Sequence, residues 1–299
     1  MKSLYTAVIL STLLSCTSSQ EDQQAFQALK LEHDKENGTI SLLRTNDERP
    51  ILVQHAKAGT RPYIHPIVAP DGKGEVTEFS PPHHKHQTGL YWGLKELNGR
   101  DYFMNWKADY WQYRSSEVLD ALGSTVRWKT VYGLLDEGGE PVLAETQTWS
   151  FTEEPNRYIL DLVWEGEAIK DVTMGKFYVG GLFVRMPWEE GVEGEAVNSV
   201  GQRDAEAEGQ RAVWNDIGIV VPGRTDMAHI TILDHPDNKG FPIPWRVDSQ
   251  LGVGPSRQIL GDWSIRQGEK EVIRYRILVY TGPRDEQLIH RVWKQYVCE

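Results

Sequence analysis

Cysteine is almost missing from these 299 residues: only Cys16 and Cys298 occur. If Cys16 is lipidated, as argued below, no intrachain disulfide can form and stability rests on the packed core alone. Positive charge is also in deficit. With 43 acidic against 32 basic residues the formal net charge is −11, which excludes the basic footprint of a nucleic-acid binder. An anionic small substrate stays open, because a local arginine cluster can override the global sign. No apolar run reaches the ~20 residues of a membrane-crossing helix. No His-Glu-x-x-His pattern, internal repeat, low-complexity tract or Pro/Gly/Ser linker is present. That argues for one main domain.

The first stretch, MKSLYTAVILSTLLSC, has the build of an export signal. Lys2 is the charged n-region, and residues 5–14 are an apolar h-region too short to span a bilayer. Leu13-Leu14-Ser15-Cys16 is similar to a lipobox, with cleavage before Cys16 and acylation of its thiol. The expected division is a signal over 1–15, a polar tether and amphipathic lead-in helix over 16–34, and a single β-sandwich domain over 35–299. The acyl chains would hold the mature protein on a membrane. With no aspartate directly after Cys16, the outer membrane is the expected one, on its periplasmic face or at the cell surface.

Beyond the lead-in, short β-like runs alternate with turn residues. Strands are expected at 39–44, 51–54, 126–135, 142–151, 158–164, 177–186, 211–220, 229–233, 258–265 and 271–280. Ten or more strands without alternating helices indicate an all-β, antiparallel sandwich or barrel. One helix closes the chain in PRDEQLIHRVWKQYV, with Leu288, Ile289, Val292, Trp293 and Tyr296 on one face. That stripe is a packing face. The 11 tryptophans and 12 tyrosines suit either sugar clefts or the cores of β-sandwiches, and composition alone favours the core.

Two constellations could carry chemistry. In FSPPHHKHQTGLYWG the two prolines favour a loop before His83, His84 and His86. If a regular strand follows, His84 and His86 share one face and His83 the other. Gly89 and Gly93 would permit close backbone approach, and Asn98-Gly99 reads as a hairpin turn. A metal site needs three or four converging ligands. The remaining histidines are scattered, so proton transfer is preferred over metal binding and over a purely structural loop. The second constellation, 198–246, holds Asn198, Arg203, Arg211, Trp214, then Asp234-His235-Pro236-Asp237-Asn238, then Trp245-Arg246. Strand alternation sends Asp234 and His235 opposite ways, so their adjacency does not make a catalytic dyad.

The order HHKHQTGLYW, LNGRDYF, GGLFVRMP, NSVG, ILDHPDN, PWRVD resembles the PmoA-like family of bacterial proteins, DUF6807, from about residue 62 to 282. The resemblance carries the family's recurring residues onto His83, His84, Gly89, Asn98, Gly99, Asp101, Arg185, Asn198, His235, Asn238 and Trp245. It departs at Met104-Asn105-Trp106, where many members have a histidine and an acidic residue. It implies a sugar-active type of β-sandwich, supersandwich-like forms included, and a carbohydrate-degrading context. For a sugar substrate, a set rich in His, Arg, Asn, Tyr and Trp suits elimination better than hydrolysis. A base removes the proton α to a uronate carboxyl while Arg or Asn takes up the enolate charge.

The expected catalytic set is therefore His83 or His84 as base, His235 as partner, and Arg211 or Arg246 as carboxylate clamp. Asn98, Asp101, Arg185, Asn198, Trp214, Asn238 and Trp245 are expected to bind an acidic oligosaccharide, with no metal and no cofactor. Two alternatives remain: a glycoside hydrolase using Glu96, Asp101 or Asp234, and a non-catalytic sugar-binding lipoprotein.

Overall fold

The computed structural model describes residues 28–299. Cys16, the signal, the tether and most of the lead-in helix lie outside the described residues. The described end of the 22–31 segment is strand, not helix: Leu29–Asp34 pairs antiparallel with Thr39–Arg44. Leu29 and Leu31 are buried while Lys30 and Glu32 are not, the period-two pattern of a half-buried strand. The β-rich body therefore takes in residues 29–34.

Two antiparallel sheets form the domain. Across the nine-stranded sheet the order is Trp245–Val247, Val253–Pro255, Gly181–Val184, Leu90–Gly93, Tyr63–Ile67, Leu52–His55, Thr39–Arg44, Leu29–Asp34 and Leu122–Gly123. The eight-stranded sheet runs Gly194–Asn198, Trp214–Ile219, Ala228–Asp234, Lys270–Thr281, Arg157–Ala168, Pro141–Glu154, Thr125–Leu135 and Trp111–Asp120. Val172–Met174 and Trp263–Ile265 make a separate two-stranded ribbon. The all-β sandwich expected from the strand spacing is the fold.

The meander 126–164 is longer than its sequence pattern suggested. Leu160 faces Phe151 on one neighbouring strand and Ile277 on the other, and Leu162 faces Trp149 and Tyr275. These inward residues meet the nine-stranded sheet in one buried cluster, where Trp92 stacks on Trp164 at 4.6 Å. Each fully buried large apolar side chain contributes about 1.5–3 kcal/mol. Three expected strands shrink, 211–220 to Trp214–Ile219 among them. In 258–265 a short 3-10 turn, Arg257–Leu260, precedes Trp263–Ile265, and within 177–186 only Gly181–Val184 is strand.

The two outer faces have different fates. The helix Glu286–Tyr296, N-capped by Asp285 through Leu288 N at 2.8 Å, covers the eight-stranded sheet. There Ile289, Val292 and Tyr296 pack on Ile159, Trp214, Leu233, Leu278 and Tyr280. On the nine-stranded sheet alternation turns Leu90, Trp92, Leu182 and Val184 into the core. Tyr63, Tyr91 and Phe183 form a second cluster with Phe103 and Val179 on the other face.

Candidate active site

That second face is roofed by loops, and the histidines sit in one of them. Residues 79–88 form a closed loop, bridged at Phe79 and Thr88, with Ser80 N donating to Gln87 O at 2.7 Å. Its tip is two successive tight turns, His84 N to Pro81 O at 3.0 Å and Gln87 N to His84 O at 2.9 Å. The expected regular strand is absent here, because each turn spends the backbone groups a ladder would use. His84 and His86 nevertheless share one side, their rings 5.6 Å apart, while His83 is exposed and leans edge-on towards Trp188.

Glycines let the roof sit close. A Cβ on Gly89 (φ +83°) would lie 2.5 Å from Ile64 O, and one on Gly93 would lie 2.8 Å from Phe103 Cα. Two buried guanidiniums then fasten the loop. Arg61, 3.6 Å over the Tyr91 ring, donates to Phe103 O at 2.6 Å, to Thr88 Oγ1 at 3.2 Å and to His86 O. Burial pushes Arg61 down to about 10. Arg185, fully buried, donates to the Gln87 side chain, to Gln250 O and to Asp248 Oδ2, the last at 2.8 Å.

Between this loop, the 102–104 turn and the 176–179 and 246–248 segments lies a cavity of about 120 Å³. Its polar lining is His84, His86, Gln87, Lys95, Arg246 and Asp248. Phe103, Met104, Tyr178 and Phe183 supply apolar wall. Burial, then the Arg61 charge, holds His86 down to about 4. Burial and the Arg185 charge lower His84 too. Its buried Nδ1 closes no hydrogen bond, and Gln250 is its polar neighbour. Both imidazoles are therefore neutral at pH 7. Lys95 Nζ meets Asp101 Oδ2 at 2.5 Å, and Arg246 Nη1 meets Glu208 Oε1 at 2.7 Å. Asp248 is the single carboxylate in the lining, held by Arg185 and by the backbone N–H groups of Gln250 and Gly252 at 2.9 and 2.8 Å. Among the described residues, no group of three or more His, Cys, Asp or Glu stands arranged for a metal ion.

Of the expected site residues, His84 and Arg246 line this cavity; His83 is outside the lining, exposed, with its ring 5.2 Å from that of His84. Asp101 stands behind Lys95 and caps the turn through Phe103 N and Met104 N, both at 3.0 Å. Arg185 is a brace beneath the site, with 0% exposure, and is no substrate contact.

The rest are corrected. Arg211 points away and fastens the carbonyls of Gly240 and Pro242 at 2.9 and 3.1 Å. Asn98, in a two-residue turn with Gly99 (φ +51° and +82°), ties that turn to Asp171 O and Thr173 N. Asn198 caps its own turn through Val200 N and Gln202 N. Trp214 and Trp245 are 1% and 0% exposed and have no free ring face for a sugar. His235 sits edge-on to Tyr296 at 4.9 Å under the C-terminal helix, not in the cavity. Asn238 donates to Asp234 Oδ1 and Arg274 O, both at 2.7 Å. Asp234 accepts from His235 N, Asn238 Nδ2 and Ile243 N, and burial still pushes it up to about 7. Glu96 also lies outside the cavity lining.

Sequence reasoning missed Lys95, Gln87, Asp248, Tyr178 and Phe183, and left His86 out of its catalytic set. Lys95 and Asp248 had a signal in the sequence: Lys95 is a charge three residues before the Asn98-Gly99 turn, and Asp248 closes the PWRVD motif. The partners that draw them together are far apart along the chain.

A family model described as "Family of unknown function (DUF6807)" matches residues 43–294. No curated protein matches the chain. Similar solved structures include the GH36 α-galactosidase AgaB from Geobacillus stearothermophilus, at 12% identity and a TM-score of 0.41 over 84% of this chain and 41% of that one. The α-galactosidase from Lactobacillus brevis is 11% identical, with a TM-score of 0.39 over 85% and 39%. A galactose mutarotase related enzyme from Lactobacillus acidophilus is 8% identical, with a TM-score of 0.35 over 84% and 97%. The chain spans about two fifths of the length of the α-galactosidases. At such identity the likeness concerns chain architecture alone.

Proposed function

The chain belongs to the DUF6807 family, and we propose that this member is a carbon–oxygen lyase or dehydratase acting on oligosaccharides that contain uronic acid. One observation carries the reading: two neutral imidazoles share a small cavity with two cationic side chains, and its single carboxylate is already bonded to Arg185. His84 takes the proton α to the substrate carboxylate, as a neutral imidazole can at pH 7. Arg246 and Lys95 hold that carboxylate and stabilise the enolate charge as it develops. The C–O bond at the β-carbon then breaks and a C=C bond forms. The proton returns to the leaving oxygen from the imidazole pair, so the net loss is water or an alcohol and no proton is consumed.

Hydrolysis is the weaker reading. It requires two carboxylates flanking the scissile bond, and Glu96, Asp101 and Asp234 all stand outside the cavity lining. The lipid anchor at Cys16 and an outer-membrane location are part of the proposal. They would hold the protein where polysaccharide fragments arrive.

The test incubates the purified chain with uronic-acid oligosaccharides and follows ultraviolet absorbance of the unsaturated product together with product mass. Loss of water, or a new unsaturated end, is expected. His84→Ala and Arg246→Ala are each expected to lower kcat/KM by about 10²-fold or more. Because burial depresses the base, the acid limb of kcat/KM is expected below the ordinary histidine range around 6.5. Gain of water on cleavage would assign a hydrolase, and binding without mass change a carbohydrate-binding protein.

A further inference from the structure

Next to the histidine cavity lies a second, more open one of about 430 Å³, lined by Lys176, Phe177, Tyr178, Glu208, Gly209 and Ile259. The two cavities share Tyr178. They also share an ion pair: Arg246 lines the inner cavity, and its partner Glu208 lines the outer one. Glu208 is held in place from the other side, since its Oε2 accepts from Val247 N.

Tyr178 is 56% exposed, high for a large aromatic residue. It is nonetheless fixed, with Phe177 at 4.6 Å and the Arg246 guanidinium 5.1 Å from its ring centre. An exposed, braced aromatic beside an apolar wall and a charged rim is the chemistry that receives a pyranose. The ring offers its face to sugar C–H groups, and the rim serves the hydroxyls.

We propose that the outer cavity is a second subsite, which binds the sugar residue glycosidically linked to the one held by His84 and Arg246. The proposal rests on the elimination reading and deepens it: the preferred substrate is an oligosaccharide at least one unit longer than the inner cavity holds. The Glu208–Arg246 pair joins the subsites physically, because a hydroxyl bonded to Glu208 in the outer one touches the partner of the carboxylate clamp in the inner one.

The variants are chosen outside the inner lining. Ile259→Trp fills the outer cavity from a position that does not touch the inner one, and Lys176→Ala removes a rim group. kcat/KM is measured for wild type and both variants on a methyl uronoside and on uronic-acid-containing disaccharide and trisaccharide, and each is titrated calorimetrically as well. For wild type, kcat/KM and affinity are expected to rise about tenfold or more with length. Ile259→Trp is expected to abolish that gain while leaving the methyl uronoside value within about twofold, and Lys176→Ala to reduce it. Turnover that is equal for all lengths, or a length gain untouched by Ile259→Trp, overturns the second subsite and leaves the elimination reading standing. The reverse result, no turnover but a length-dependent affinity lost in Ile259→Trp, overturns elimination and retains the subsite. Neither turnover nor binding at any length overturns both.

Discussion

Two histidines followed by aromatic or turn residues look alike on paper, yet His84 and His235 have opposite surroundings. His84 has a buried Nδ1 with no hydrogen bond and lies in a cavity wall. The Nδ1 of His235 is occupied, accepting from Asp237 N at 3.2 Å, and its ring is packed against Tyr296. His235→Ala is therefore expected to lower Tm, because it leaves Asp237 N unpartnered and a gap under the helix, while kcat/KM stays within about twofold. His84→Ala is expected to do the reverse. Paired melting and kinetic measurements decide it, and a His235→Ala enzyme that is stable but inactive would return His235 to the reaction. The Asp-His-Pro-Asp-Asn motif was legible in the sequence as a family mark, but its role was not. Its Asp234 accepts three N–H donors, from its own turn and from Ile243 nine residues on, and a motif with that much internal bonding is as well suited to build a joint as a site.

At the scale of elements, the histidine loop holds its shape without a strand ladder. Arg61 fastens it from the sheet below, and Arg185 fastens it to the 248–252 turn. The turn comes close enough for this because position 252 is glycine: a Cβ there would lie 2.5 Å from Arg185 Nη2 and 2.7 Å from Phe183 Cζ. Removing one partner of a buried ion pair leaves the other charge without compensation, which costs about 3–5 kcal/mol. Arg185→Met is expected to lose about that much in denaturant unfolding, and activity with it. Adding Asp248→Asn should restore part of the stability, since the amide oxygen still accepts from Gln250 N and Gly252 N. A double variant no more stable than the single one would show that charge pairing is not the cause. The strands of the meander, 126–164, were readable because each alternates on its own. The position of the loop was not, because it depends on guanidiniums 25 and 98 residues away from the groups they bind.

For the whole molecule, buried titratable groups on different layers set the response to acid. His65 and His86, over the nine-stranded sheet, are both pushed down to about 4 by burial. In the unfolded chain they titrate near 6.5. Between those values the unfolded chain carries protons that the folded one refuses, so their contribution is complete above 6.5 and is lost as pH falls towards 4. His33, His55, His84 and His235 are shifted the same way. Glu145 and Asp234 act in the opposite sense, burial raising each to about 7. Their contribution is complete below about 4, the unfolded carboxylate range, and is lost as pH rises through 7. The histidines outnumber the carboxylates, so Tm is expected to fall from pH 6.5 to 4, less steeply than the histidines alone would make it. Glu145→Gln separates the two contributions. The glutamine can still accept a hydrogen bond from Trp164 Nε1, bonded to Glu145 at 2.9 Å, but the folded state no longer takes up a proton there. Calorimetric Tm against pH should be steeper on the acid side in Glu145→Gln and shallower in His65→Gln. Parallel curves for wild type and Glu145→Gln would mean that Glu145 is ionised in the fold throughout this range.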